Sequence, residues 1–319
     1  MKEKILEILI NSKEFVSGQE ISEKLLISRN SVWKYINKLK EDGFIIEGVS
    51  RKGYRLIKES DIPNKSSIKN LLNTKFIGSK IYDFYSLDST NLKAKSIASK
   101  GFLDGSIVIS RIQTKGSGRF NRTWGSPLGG LWSSIILKPN IDPQIASKLT
   151  IVCACALFKT IESLGLDPKI KWPNDIYIND KKCAGILTTM NSDMDRINYL
   201  IIGVGLNVNI PKEYFIDEFK NGTSLSIELN KDLNLPKVYS SFLNNFEDLY
   251  LKFVENSDLE EVFKILKNNS KGLNEKAKLV TIKGTEDIVL VDIDKSLELI
   301  VKTKDGTFKK VLSGEITFS

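Results

Sequence analysis

The hydrophobic period of this 319-residue chain changes twice. Up to about residue 60, apolar side chains recur three and four apart. From Ser66 to about Ser270, helical stretches mix with continuous apolar runs, and after Lys271 short apolar runs follow one another closely. A period near 3.6 belongs to helices and a period of 2 to strands, so different packings are written into one chain. Its length also exceeds what one core usually supports. The expected division is 1–60, 66–270 and 271–319, with ESDIPNKSS, Glu59 to Ser67, as a linker between separate cores.

In the first block Ile5, Leu6 and Leu9 give one amphipathic helix, and SGQE, Ser17 to Glu20, reads as a capping box opening a second. A third helix starts at Ser28 with Val32, Ile36 and Leu39 as its apolar stripe, and Gly43 supplies its stop. FIIEGVSRKGYRLI then reads as two short strands around a basic turn. This is the layout of a winged helix-turn-helix. Charge is distributed to match: Met1 to Leu26 carry four Lys against five Glu, whereas Ile27 to Lys58 carry eight basic residues against three acidic ones. Arg29, Asn30, Ser31 and Lys34 fall at the start of the recognition helix, with Arg51 and Lys52 on the wing, and these are the expected DNA contacts. The plainer alternative is a three-helix module with a solvated basic face. Trp33 and Tyr35 either touch DNA or pack, with packing expected for at least one.

The middle block mixes helices such as STNLKAKSIAS with strands such as GSIVIS, LWSSIILK and YLIIGVGLNVN, a mixed α/β pattern. The final block, with KLVTIK, DIVLVDI and LELIVKT and a KDGT hairpin turn, predicts a small β-barrel or sandwich. Between two middle strands lies QTKGSGRFNRTWGS, Gln113 to Ser126, where Lys115, Arg119 and Arg122 stand among glycines. Gly116 and Gly118 permit positive φ and close approach of backbone N–H groups to an anion, Asn121 tolerates the left-handed region, and guanidinium forks suit phosphate or carboxylate. The loop is neither a Walker A sequence nor a dinucleotide fingerprint. Taken alone, it is an anion site or a solvated surface loop.

Several chemistries are excluded. The chain has no histidine, which removes the commonest metal ligand and the usual general base near pH 7. Three cysteines, two of them in VCACALF, fit reduced core thiols, and no protein-held metal site is expected. No apolar run of membrane-span length and no signal peptide at MKEKILEILI are expected, which points to the cytoplasm. The formal charge of +8 favours anionic partners.

DSTN at Asp88 to Asn91, the cationic loop, KWPNDIYINDKKCAGIL at Lys171 to Leu187, GVGLNVN at Gly203 to Asn209 and SGEITF at Ser313 to Phe318 occur in a recognisable order and spacing. In this the chain resembles the bifunctional biotin-protein ligases that also repress biotin operons, and the resemblance covers nearly all of it. It implies an α+β multidomain protein: the winged helix-turn-helix, a class II synthetase/lipoate-ligase-like α/β catalytic domain and a C-terminal SH3-like β-barrel. It implies that biotin and MgATP form biotinyl-5′-adenylate, from which a lysine of the biotin carboxyl carrier protein takes the biotinyl group. It further implies operator DNA as a partner, biotinyl-5′-adenylate as corepressor, and a homodimer when that ligand is bound.

By this resemblance Ser89, Thr90 and Gln113 hold the biotin head group, and Gly116, Arg119 and Gly205 line the same pocket. Lys182, Arg119 and Arg122 neutralise carboxylate and phosphates. Trp124 and Asn207 meet the adenine, and Asp175 serves magnesium or the acceptor lysine. Asn91, Ser117, Gly118 and Gly185, in the same motifs, complete the expected set. Ser117 departs from the basic residue common in the family at that place, although its backbone N–H survives the change. Each position also has an ordinary structural reading: Ser89 and Thr90 as helix caps, Trp124 and Trp172 as core, Asn207 as a turn residue, Asp175 as a partner of Lys171. The competing functions are a ligand-sensing transcription factor without catalysis and a lipoate or octanoate ligase.

Overall fold

The computed structural model describes residues 1–12, 14–281 and 284–318. They form two compact units, Met1–Asn73 with Leu233–Ser240, and Thr74–Asp232 with Ser241–Ser319.

The first unit begins with α1 (Lys2–Ile10), α2 (Gly18–Leu25) and α3 (Arg29–Glu41), followed by the antiparallel hairpin β1 (Ile45–Val49) and β2 (Gly53–Lys58). Ile5, Leu6, Leu9, Ile21, Val32, Ile36 and Leu39 form its core, closed by Phe44 and Ile46. Ser17 caps α2 by accepting the Glu20 N–H at 3.0 Å, but the Glu20 carboxylate pairs with Lys24 at 2.8 Å, so half of the expected capping box is present. Ser28 caps α3 through the Ser31 N–H. Gly43, at φ +92°, ends that helix where a Cβ would lie 2.7 Å from Ser60 Oγ. Tyr35 packs on the core and Trp33 does not, being 61% exposed, so one of the two aromatics packs as expected.

The segment expected to be a linker is built into this unit. Ser60 Oγ and Asn64 Nδ2 both donate to the Asp42 carbonyl, at 2.6 and 2.9 Å. Asn64 forms a capping box with Ser67 that starts α4 (Lys65–Lys69), and Ser60, Asn64, Ser66 and Ser67 are buried. Serine and asparagine mark turns and helix caps alike, because both uses exploit a short side chain that bonds to nearby backbone. Composition alone does not separate a cap from a linker.

In the second unit a seven-stranded sheet has the order β3-β4-β5-β9-β8-β7-β6. Its strands are β3 (Ile81–Leu87), β4 (Ser106–Gln113), β5 (Gly130–Leu137), β6 (Lys169–Lys171), β7 (Asp175–Ile178), β8 (Lys181–Ser192) and β9 (Ile197–Asn207). β3 and β4 pair in parallel, joined through α5 (Thr90–Ala98), and the other neighbouring strands of the sheet pair antiparallel. β5 is buried along its whole length, and α6 (Lys148–Glu162) contributes Cys153 and Cys155 to the core. Contrary to the expectation of no span-length apolar run, Pro143–Glu162 is long and apolar enough to cross a membrane by length and composition, and its apolar part is mostly buried inside the protein. After the short α7 (Leu225–Leu229) come α8 (Leu235–Asn256) and α9 (Glu260–Asn269). On α8 the buried Glu247 carboxylate accepts the N–H groups of Lys75, Phe76 (3.0 Å) and Ile77 (2.7 Å).

The closing strands β10 (Lys276–Thr281), β11 (Gly284–Ile293), β12 (Leu299–Thr303), β13 (Phe308–Val311) and β14 (Glu315–Phe318) form an antiparallel sheet ordered β13-β12-β11-β10-β14. KDGT makes the expected β12–β13 turn, with Gly306 at φ +89°. Ile282 and Lys283, at the end of the expected first strand, lie outside the described residues. Pairing of β14 with β10 carries Gly314 and Glu315 to the cationic loop between β4 and β5.

Candidate active site and nucleic-acid face

The floor of the main cavity is set by three glycines. Gly185 on β8 lies opposite Gly205 on β9, and Gly203 lies opposite Leu187. A Cβ on Gly205 would stand 2.4 Å from Trp124 Nε1, and one on Gly203 would stand 2.2 Å from Asn91 Oδ1. Real Cβ atoms do not approach that closely, so a side chain at either position would have to displace Trp124 or Asn91. A trough results, occupied by the Trp124 indole, whose buried Nε1 has no hydrogen-bond partner among the described residues.

A neutral hydrogen-bonding wall borders it. Ser89 caps α5, and the Thr90 N–H and Oγ1 donate to Gln113 Oε1 at 2.8 and 3.1 Å. Gln113 Nε2 donates to Ser126 Oγ at 2.8 Å; Ser134 Oγ donates to Asn91 Oδ1 at 2.6 Å and lies 2.9 Å from Thr90 Oγ1. Ser89 therefore does cap a helix, and it also lines the cavity. Ser126 and Ser134 were not anticipated; a serine within the apolar run LWSSIILK was the available signal for Ser134.

The loop between β4 and β5 folds back on itself through Gly118 N–H to the Arg122 carbonyl (2.8 Å) and Trp124 N–H to the Gly116 carbonyl (2.9 Å). Its left-handed residues are Phe120 (φ 55°) and Asn121 (φ 57°), whereas Gly118 sits at φ −103° and Gly116 is not left-handed. Asn121 was expected there; the glycines are not used in that way. Gly116 answers instead to close packing, since a Cβ would meet the Trp124 carbonyl oxygen at 2.4 Å. The Phe120 ring lies within 5.5 Å of the Arg119 guanidinium and 5.7 Å of that of Arg122.

Each expected cation has a partner. Lys182 Nζ lies 2.8 Å from Asp175 Oδ1 and 5.2 Å from the centre of the Trp124 ring. Arg119 Nη1 donates to Asn174 Oδ1 (3.1 Å) and to the Gly314 carbonyl (2.9 Å), and Arg122 forks onto Glu315 at 2.5 and 2.9 Å. The observed ion-pair partner of Asp175 is Lys182 rather than Lys171. Burial pulls the Arg119 guanidinium below its ordinary range against the opposing charges of Glu315 and Asp175, and burial likewise lowers Lys171. The hydrogen bonds that Arg122 donates to the Glu315 carboxylate hold its guanidinium above its ordinary value.

This cavity is lined by all the expected catalytic and binding residues except Gly116. Asn207 is held by a bond from its Nδ2 to the Thr223 carbonyl at 2.9 Å, and Trp172 is buried as core, its Nε1 donating to the Leu297 carbonyl. One further wall was missed. Tyr214 and Phe219 stack at 5.3 Å between ring centres, and with Phe215 they border the cavity. The aromatic cluster in KEYFIDEF was its signal.

On the first unit, Arg29, Asn30, Lys34, Arg51 and Lys52 are exposed, and among the described residues none of the four cations makes an ion pair. Ser31 Oγ lies 2.9 Å from Ser28 Oγ within the helix cap.

A fold with a helix-turn-helix and a cationic, glycine-floored cavity defines a DNA-binding enzyme class, and comparison with known proteins narrows it. The profile of the "Biotin/lipoate A/B protein ligase family" matches residues 84–207, and that of an "HTH domain" matches residues 2–55. The bifunctional ligase/repressor BirA of Bacillus subtilis strain 168 is 37% identical over 306 residues, 95% of this chain and 94% of that protein. BirA of Escherichia coli K12 is 31% identical over 64% of this chain and 63% of its own length. Among solved structures, the biotin protein ligase from Aquifex aeolicus in complex with biotin and ATP aligns with a TM-score of 0.63 at 27% identity, covering 75% of this chain and 97% of that one. The chain belongs to the biotin/lipoate protein ligase family, among its bifunctional ligase/repressor members: an enzyme of the ligase class with a helix-turn-helix in the same polypeptide.

Proposed function

We propose that this protein joins biotin to ATP as biotinyl-5′-adenylate, transfers the biotinyl group to a lysine of the biotin carboxyl carrier protein, and represses a biotin operon with the adenylate as corepressor. The observation that carries the reading is the convergence of Lys182, Arg119 and Arg122 on a glycine-floored trough beside a neutral hydrogen-bonding wall.

The chemistry asks for charge compensation rather than a base. Biotin's carboxylate is ionised at neutral pH, so its oxygen attacks the α-phosphorus directly, the α–β phosphoanhydride bond breaks, and pyrophosphate leaves with the electron pair. In the second step the acceptor amine attacks the acyl carbon, AMP leaves, and the amine's proton passes to solvent. Two anions must first approach each other, and preorganised cations lower that barrier where water is scarce. Lys182, Arg119 and Arg122 take this role. Ser89, Thr90, Asn91 and Gln113 hold the neutral ureido head, and Gly185, Gly205, Ser117 and Gly118 line the same cavity. Trp124 and Asn207 meet the adenine.

A hard cation such as Mg²⁺ takes one or two carboxylates together with substrate phosphates, and Asp175 at the cavity wall suits that arrangement. When bound, Mg²⁺ neutralises phosphate charge. We read the C-terminal five-stranded sheet as an SH3-like barrel, the β1–β2 hairpin as a wing, and the protein as cytoplasmic, in keeping with its buried free cysteines. Closure of the cationic loop over the adenylate favours a homodimer whose paired helix-turn-helix units span a palindromic operator through Arg29, Asn30, Ser31, Lys34, Arg51 and Lys52. Incubation with biotin, ATP, Mg²⁺ and purified carrier domain tests the ligase reading by mass spectrometry. The carrier gains one biotinyl group; an unmodified carrier, or equal modification by lipoate, refutes it.

A further inference from the structure

The recognition helix α3 holds a large apolar group that the first unit does not use. Val32, Ile36 and Leu39 are each no more than 1% exposed, and Tyr35 packs against the same core. Trp33 is 61% exposed, and among the described residues its side chain makes no ring, cation or hydrogen-bond contact. A lone exposed aromatic is ordinary on a protein surface. This one is distinguished by its setting.

On a helix, positions three and four apart share a face, so Asn30, Trp33, Lys34 and Asn37 form one stripe. Asn30 and Lys34 are exposed, and the neighbouring cations Arg29, Arg51 and Lys52 are free of ion pairs among the described residues. A cationic face of this kind selects a polyanion, and a helix of a helix-turn-helix enters the major groove with its N-terminal residues toward the base edges. Thymine's C5-methyl is the apolar feature displayed there, while adenine offers the paired donor and acceptor that asparagine matches.

We infer that Trp33 is a base-reading residue whose indole covers a thymine methyl in the major groove, flanked by Asn30 and Lys34. This rests on the DNA-binding reading above. It adds a sequence-discriminating contact to a set whose charged members mainly grip phosphate.

The test uses the full chain saturated with biotin and ATP. Wild type and Trp33→Ala each select duplexes from a random 40-base-pair pool, and thermal melting confirms that both are folded. Wild type is expected to select a motif with a thymine that Trp33→Ala no longer requires. Replacing that thymine with deoxyuridine, which lacks only the methyl, should weaken wild-type binding about fivefold and leave Trp33→Ala unchanged, on the scale of a modest base contact. Selection of the same motif by both proteins, or equal weakening of both by deoxyuridine, overturns the inference while leaving DNA binding intact. An equal loss of selected and random duplexes by Trp33→Ala, which marks the indole as a general or dimer contact, also overturns it. A wild-type chain that selects no motif overturns the DNA-binding reading and this inference together.

Discussion

The two cationic surfaces of this protein are built in opposite ways. In the cavity, Lys182, Arg119 and Arg122 are each fastened, to Asp175, to Asn174 with the Gly314 carbonyl, and to Glu315. On the helix-turn-helix, Arg29, Lys34, Arg51 and Lys52 have no ionic partner among the described residues. A small ligand must meet its cations at fixed points, so their side-chain freedom is lost during folding rather than during reaction. DNA presents a regular line of phosphates, and mobile cations serve it by releasing condensed counterions. Held charges suit catalysis and free charges suit a polymer.

The largest effect is expected at Lys182, the cation that lies beside both Asp175 and the Trp124 ring. Lys182→Ala should slow biotinyl-adenylate formation about a hundredfold, on the order of 3 kcal/mol of transition-state stabilisation. Quenched single-turnover assays measure this, and an unchanged rate would place charge compensation elsewhere. Next comes the trough floor. Gly205→Ala drives a Cβ into the Trp124 indole, where the approach is 2.4 Å, and overpacking of about 1–3 kcal/mol should weaken biotin binding roughly tenfold or more by calorimetry.

Effects at the free cations should be smaller and depend on salt. Lys34→Ala or Arg51→Ala should each lower the slope of log affinity against log salt by about 0.9 for every DNA phosphate left without its neutralising cation. Adenylation by the same proteins should show no such change, and a matching salt slope for both activities would erase the contrast between the surfaces. The smallest effect belongs to Glu315→Gln. Arg122 is 63% exposed, and an exposed ion pair contributes about 1 kcal/mol or less, so the melting temperature should shift by only a few degrees. A drop well beyond that would mean that Glu315 supports folding broadly.

What could be read from residues in order differs from what required the fold. The helix caps at Ser17 and Ser28, the apolar stripe of α3 and the strands flanking the cationic loop depend on neighbours in sequence, and they appear where the periodicity places them. The cavity's expected residues come together because their motifs lie on, or directly follow, the strands β3, β4, β9, β8 and β7 of one sheet. The partners of Arg119 and Arg122 lie 195 and 193 residues away, beyond the reach of any local pattern. Neither Gly116 nor Gly118 takes the left-handed conformation that a glycine permits, and Gly116 is instead required for room. The polar run after β2 was misread for a related reason: its serines and Asn64 bond to backbone that only the folded unit brings near.

The claim that the fastened cations exist to bring biotin's carboxylate to ATP is tested most directly by isotope exchange. Labelled pyrophosphate should enter ATP only when biotin is present, without any acceptor protein, because adenylate formation is reversible at the enzyme. Exchange that needs no biotin, or that octanoate or lipoate drives equally well, would contradict it.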